Sequence, residues 1–240
     1  MSRVLGVVLL AAALPAYGGG RVPVLIELFT SEGCSSCPPA DALLAKLVRE
    51  QPVEGVEILA LSEHVDYWDS LGWRDPYSSP VFTRRQEAYG SLMNRVNIYT
   101  PQAIVDGRTD VLGTDERAIR KASSAAAAQS HGTIDGRRSA KSLHLDAAVP
   151  AHRGADVFLA AVDDPPPARV ERGENAGRTL SHVRVVRVLK QIGKLDQANA
   201  SFDVDLDAHL QQLRLVAFVQ ERTTGRVLAA GTWAAPSAGM

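Results

Sequence analysis

The sequence predicts an α/β domain over residues 19–131, a mixed sheet flanked by helices, followed by a small antiparallel β-sandwich domain over residues 132–240. Three observations carry this. In the first half, short continuous apolar runs alternate with stretches of helical periodicity. After His131 the pattern changes to apolar/polar alternation broken by turn-rich stretches. The only two cysteines, Cys34 and Cys37, fall where the first apolar run gives way to the first helical stretch.

"VLIELF", residues 24–29, is a short apolar run interrupted by Glu27, and reads as a buried parallel strand. Ala40, Leu43, Leu44, Leu47 and Val48 recur at helical spacing, predicting a helix that opens near Ser35 to Pro38 and ends before Pro52. Prolines at 38 and 39 suit a first turn, where a missing N–H costs nothing. "VEILALS", 56–62, is a second strand. Ser79-Pro80 reads as the cap and first turn of a helix running to about Asn94. "PQAIVDGRTDVLG" is a strand, an Asp106-Gly107 turn and a returning strand. Thr114, followed by two acids, starts an alanine-rich helix reaching about Gln129. Strand, helix, strand implies a right-handed parallel crossover, to which the hairpin adds a mixed edge. Beyond the boundary, "DVFLAAV", "HVRVVRVL", "FDVDL", "LRLVAFVQ" and "RVLAAGTW" read as strands of the sandwich.

The chain has 240 residues, 45% of them hydrophobic, enough for a sizeable core. With 26 basic and 27 acidic side chains it has no basic bias, which argues against a nucleic-acid partner. Arg3, the apolar run from Val4 to Leu14 and the small residues of "PAYGGG" predict a signal peptide over 1–18. The run is too short for a membrane span, so none is expected after cleavage. Export places the mature protein in an oxidising compartment, periplasmic or secreted.

Two thiols in C-x-x-C spacing have three ordinary uses: a structural clip, a pair of metal ligands, or a dithiol that cycles with its disulfide. Structural zinc would need two further ligands, and there is no second C-x-x-C. A helix N-terminus carries partial positive charge and unpaired N–H groups, which favour a thiolate. Cys34, coming first, is expected to be the more exposed nucleophile, with Cys37 one turn along as the resolving thiol.

"CSSCP" after an apolar strand, followed later by "YTPQAIVDG", resembles the thioredoxin superfamily over about residues 22–130. The resemblance implies a thioredoxin-like fold, a cis Thr100-Pro101 bond and a Pro101 that faces the cysteines and shapes the substrate groove. The longer strings "ELFTSEGCSSCPPADALL", "HVDYWDSLGWRDPYSSP" and "RGENAGRTLSHVRVVR" are similar to a bacterial secreted family called domain of unknown function 1223, over almost the whole mature chain. Gly33 stands where thioredoxins usually have Trp, and Ser35-Ser36 where they usually have Gly-Pro. The reduction potential therefore does not carry over, within a superfamily that spans roughly 150 mV.

Thioredoxins also keep a buried acid near the place of Glu27. Here it could take the proton of Cys37, or simply be solvated at a sheet edge. Residues 64–99 form an insert with seven of the thirteen Phe, Trp and Tyr residues. Its rings either pack it down or line a groove, for which Thr100, His64, Trp68 and Trp73 are the candidates. His64, Asp66 and Asp69 have spacings that could contact a metal. In the β domain, Arg178, His182 and Arg184 could form an anion site or dock beside the cysteines. The expected function is thiol–disulfide exchange on a protein or small-thiol partner, with no organic cofactor, because the dithiol itself carries two electrons, and with no residue assigned as a metal ligand. The rival readings are copper(I) handling by Cys34 and Cys37, with His64 as a possible third ligand, and a non-catalytic binding module with a structural disulfide.

Overall fold

A computed structural model describes residues 20–235 apart from residues 96, 130, 152 and 153. The expected signal peptide lies outside the described residues. No helix among them is long and apolar enough to cross a membrane.

The first half holds β1 (Val22–Thr30), α1 (Pro38–Glu50), β2 (Val56–His64), α2 (Pro80–Leu92), β3 (Gln102–Val105), β4 (Thr109–Leu112) and α3 (Glu116–Ala127). β1 pairs parallel with β2 and antiparallel with β3, which turns back into β4. β1 is covered on both faces. Val24, Ile26 and Leu28 enter a core with Leu44 and Leu47 of α1 and Ile119 of α3. Leu25 and Phe29 point the other way, into a core with Phe82 and Tyr89 of α2.

The helix ends follow the sequence closely. Pro38 and Pro39 occupy the first turn of α1, and Gln51 closes it in a left-handed conformation. Ser79 caps α2 by accepting from the Val81 N–H. α2 ends at Leu92, two residues before the expected Asn94, which is left-handed. The cap of α3 is Asp115, not Thr114, its side chain accepting from the Ala118 N–H, and the helix stops at Ala127. The β3–β4 turn has positive φ at Asp106 and Gly107. A Cβ on Gly107 would stand 1.9 Å from the Gly225 carbonyl oxygen, so glycine is required there.

The second half holds β5 (Thr133–Arg138), β6 (Ser142–Ala148), β7 (Ala155–Asp163), β8 (Ala168–Arg169), β9 (Thr179–Leu180), β10 (Val185–Leu195), β11 (Asn199–Asp205), β12 (Arg214–Glu221) and β13 (Val227–Trp233). The antiparallel strands expected to form a small β-sandwich domain are present, but some of them share a sheet with the first half. β10 pairs parallel with β2, through Val185 and Ser62, and antiparallel with β7. One eight-stranded sheet, in the order β13-β12-β7-β10-β2-β1-β3-β4, therefore runs across the expected boundary at 131/132. The physical reason is the otherwise open edge of β2, which β10 closes. A three-stranded antiparallel sheet, β11-β6-β5, packs Ile134, Leu143, Leu145 and Val204 against Val157, Leu159, Leu215 and Val219 of the large sheet. Two sheets do face each other, but one of them belongs to both halves of the chain.

Candidate functional site

Cys34 and Cys37 form a disulfide at the amino end of α1, where Cys37 is the N-cap residue. The turn is closed by the Cys34 N–H donating to the Ser31 carbonyl and the Cys37 N–H to the Cys34 carbonyl, both at 3.2 Å. Thr100 Oγ1 lies 3.4 Å from Cys34 Sγ and accepts from Trp68 Nε1 at 2.8 Å. The Thr100–Pro101 bond is cis. Ser36 Oγ, 3.3 Å away, also touches Cys34 Sγ. The structure thus brings Cys34, Cys37, Thr100 and Trp68 together, with Pro101 following Thr100.

The expectation that Cys34 is the more exposed sulfur is corrected: both cysteines are 0% exposed. Trp68 backs the turn, since a Cβ on Gly33 would lie 3.1 Å from its Cβ. From the second half, Asn175 Nδ2 donates to the carbonyl oxygens of Glu32 at 2.8 Å and Cys34 at 2.9 Å.

Beneath the cysteine turn lies a buried polar cluster of Glu32, Asp41, His64, Asp75 and His182. His64 Nδ1 is 2.7 Å from Asp75 Oδ2, which also accepts from the Glu32 N–H. Trp73 Nε1 donates to Glu32 Oε2 at 2.8 Å. Asp41 lies one turn beyond Cys37, its N–H donating to the Cys37 carbonyl, and its Oδ1 accepts from Thr30 Oγ1. His182 stands between the acids, Nε2 3.3 Å from Glu32 Oε1 and Nδ1 3.6 Å from Asp41 Oδ2. Its ring meets that of His64 edge-on at 4.8 Å.

Burial raises the Asp41 pKa, more than the histidines and Thr30 lower it. Burial pulls His182 down, but Glu32, Asp41 and Asp75 outweigh it and leave the imidazole above its ordinary value. Burial also pushes Asp75 up, yet His64 and the two backbone N–H donors prevail and hold it below the usual carboxylate range. Asp41 and His182 therefore hold their protons to higher pH than they would in water, and Asp75 gives its proton up more readily.

The remaining expected residues fall elsewhere. Glu27 points to the α2 face, where Arg85 Nε and Tyr89 Oη donate to its carboxylate. The carboxylate that lies one helical turn from Cys37 is Asp41. His64 is fully buried and does not meet Asp66 or Asp69, which bond instead to Thr83 and Ser78. Trp73 is held by Glu32 and backs Gly173. Of Arg178, His182 and Arg184, which flank β9, only His182 enters the cluster beneath the cysteines. Arg178 donates to Asn175 Oδ1 and Arg184 pairs with Asp164. Among the described residues, no group of three or more His, Cys, Asp and Glu side chains is arranged to hold a metal ion.

Sequence reasoning missed Glu32, Asp41, Asp75 and Asn175. Asp41 sits among the apolar positions of α1, and a polar residue on a buried face was the available signal. Asn175 sits in "GENAG", a stretch with the composition of a turn, and no local pattern marks it as a tether to the cysteine loop.

A model of the family described as protein of unknown function (DUF1223) matches residues 25–220. Among solved structures, the chain is similar to the crystal structure of a protein from Agrobacterium tumefaciens, with a TM-score of 0.77 and 26% identity over 92% of this chain and 97% of that one. A second match, a β-glucosidase from Kluyveromyces marxianus in complex with glucose, has a TM-score of 0.22 at 7% identity over 45% of this chain and 14% of that one, and carries no argument. No curated protein gives a significant match.

Proposed function

The chain belongs to the DUF1223 family of proteins of unknown function, and from that premise we propose that it is an exported thiol–disulfide oxidoreductase of thioredoxin-like fold. One observation carries this reading: the Cys34–Cys37 disulfide at the amino end of α1, with Thr100 Oγ1, from the residue before Pro101, against Cys34 Sγ. The element order β1-α1-β2-α2-β3-β4-α3 supports the fold assignment. The basic, apolar and small-residue sequence of 1–18 supports export from a bacterial cell to the periplasm or beyond.

The chemistry is a two-electron exchange with a partner thiol or disulfide. In the oxidising direction, a partner thiolate attacks Cys34 Sγ and the Cys34–Cys37 bond breaks, releasing Cys37 as a thiolate that takes up a proton. A second partner thiol then displaces Cys34, leaving the partner as a disulfide and this protein as a dithiol. The reverse sequence uses the same atoms. The amino end of α1 stabilises the thiolate form of whichever sulfur leaves.

Cys37→Ser tests the reading. Without a resolving thiol, Cys34 stays bonded to its partner, so the variant expressed in a bacterial envelope should accumulate mixed disulfides that vanish on reduction. Cys34→Ser should trap far less. A metal carrier predicts that both variants lose bound copper and neither traps a partner. A second reading, a binding module with a structural disulfide, is favoured by the complete burial of both sulfurs. It predicts no trapping and a loss of roughly 0–5 kcal/mol of stability in either variant.

A further inference from the structure

Exchange at a disulfide requires the incoming thiolate to reach a sulfur atom. Cys34 and Cys37 are buried, although Ser35 and Ser36 between them are exposed. Residues 170–178, the loop joining β8 to β9, lie against the backbone of the cysteine turn at Glu32, Cys34 and Ser35. In its exposed stretch, residues 171–178, Asn175 is the one buried side chain. Its Nδ2 binds the Glu32 and Cys34 carbonyls, and its Oδ1 accepts from Arg178 Nη1 at 3.0 Å. The neighbouring Glu174 carboxylate accepts from the Ser35 N–H at 3.2 Å, and the Ser35 hydroxyl and N–H together hold Glu174 below the usual carboxylate range. The loop is narrow-necked. Val170 N–H donates to the Arg178 carbonyl and Gly177 N–H to the Val170 carbonyl, and Gly173 and Gly177 both have positive φ.

We propose that this loop is a lid over the cysteine pair, and that Glu174 and Asn175 are specificity-determining residues that admit an extended polypeptide carrying cysteine in preference to a small thiol. The Asn175 carboxamide offers the Glu32 and Cys34 carbonyls the kind of N–H donor that a partner's main chain would offer. The Glu174 carboxylate takes the Ser35 N–H that a partner's carbonyl would accept. A docking polypeptide can thus replace what the lid gives up, whereas a small thiol replaces none of it and must wait for spontaneous opening. The proposal rests on the oxidoreductase reading of the same disulfide.

The test is the rate at which the oxidised, full-length protein loses its Cys34–Cys37 bond to two added reductants, dithiothreitol and a short linear peptide carrying two reduced cysteines. In both, the reductant becomes a disulfide and the protein a dithiol. Glu174→Ala and Asn175→Ala should accelerate dithiothreitol at least tenfold, and the peptide by a clearly smaller factor. An unchanged dithiothreitol rate overturns the proposal. So does acceleration of both reductants by one common factor, the signature of a merely structural role acting through global unfolding. If Asn175→Ala fails to fold, Glu174→Ala decides alone, since its side chain is exposed and its bond to Ser35 is peripheral to the core. These rates do not depend on natural turnover, so failure of Cys37→Ser to trap partners would count against the oxidoreductase reading and leave the lid measurement standing.

Discussion

His182 shows how a single side chain ties the two halves of the chain to the cysteine site. It follows β9 by two residues and ends up between Glu32, just before the cysteines, and Asp41, just after them. Its pKa is raised above the ordinary 6.5, despite burial, by Glu32, Asp41 and Asp75. The folded state therefore binds this proton more tightly than the unfolded chain does. The stabilisation is fully present below pH 6.5 and is lost as pH rises through the raised value. Asp41 acts in the same sense, its raised pKa making its contribution greatest below 3.8 and smaller as pH climbs through the folded value. His182→Gln should flatten the upper of these two windows. In urea titrations, the wild type should lose stability relative to the variant as pH is raised above 6.5. Each tenfold gain in proton affinity corresponds to about 1.4 kcal/mol. Parallel pH profiles for the two proteins would contradict the account.

At the scale of the element, α2 is held to the sheet by charge as well as by rings. Phe82 and Tyr89 enter the core, while Arg85 bonds to Glu27 and lies 3.6 Å from Glu63. Both glutamates are fully buried. Burial and the neighbouring Glu27 push Glu63 well above the usual carboxylate range, so Glu63 holds its proton to higher pH than a free carboxylate while the pair shares one guanidinium. The two sites should respond differently to substitution. Arg85→Ala strands a buried carboxylate and should cost about 3–5 kcal/mol. Glu63→Gln keeps the shape of the protonated acid and should stay within about 1 kcal/mol of wild type. Denaturant unfolding at neutral pH measures both, and equal losses would show that Glu63 carries its charge. The sequence marked Glu27 as an anomaly in β1, but its partner lies on a helix 58 residues away, and only packing of α2 on the sheet selects Arg85.

At the scale of the molecule, the core under α2 does not stop at residue 131. Leu25, Phe29, Leu59 and Leu61 share it with Ala160, Val162, Val216, Phe218 and Val227. A chain ending at residue 131 would lose those partners, the β10 cover on β2 and the Asn175 tether together. It should fail to give a compact species with dispersed NMR resonances, whereas two independent domains would leave it folded. Phe218→Ala, far along the chain from the cysteines, should cost the whole protein about 3–5 kcal/mol.

What the sequence by itself determined is local. The strand and helix succession of the first half, the Ser79 cap, the Asp106-Gly107 turn and the cysteine pair at a helix start all rest on neighbours a few residues apart, where periodicity and turn chemistry are visible. Tertiary structure decided what depends on long-range pairing. It joined β10 to β2, turned Glu27 toward Arg85 instead of the cysteines, gathered Glu32, Asp41, His64, Asp75 and His182 beneath the disulfide, and bonded Asn175 to the Cys34 carbonyl. An open strand edge and a buried charge each demand a partner, but neither demand says which distant residue will meet it. That choice is made only when the two halves of the chain close over one core.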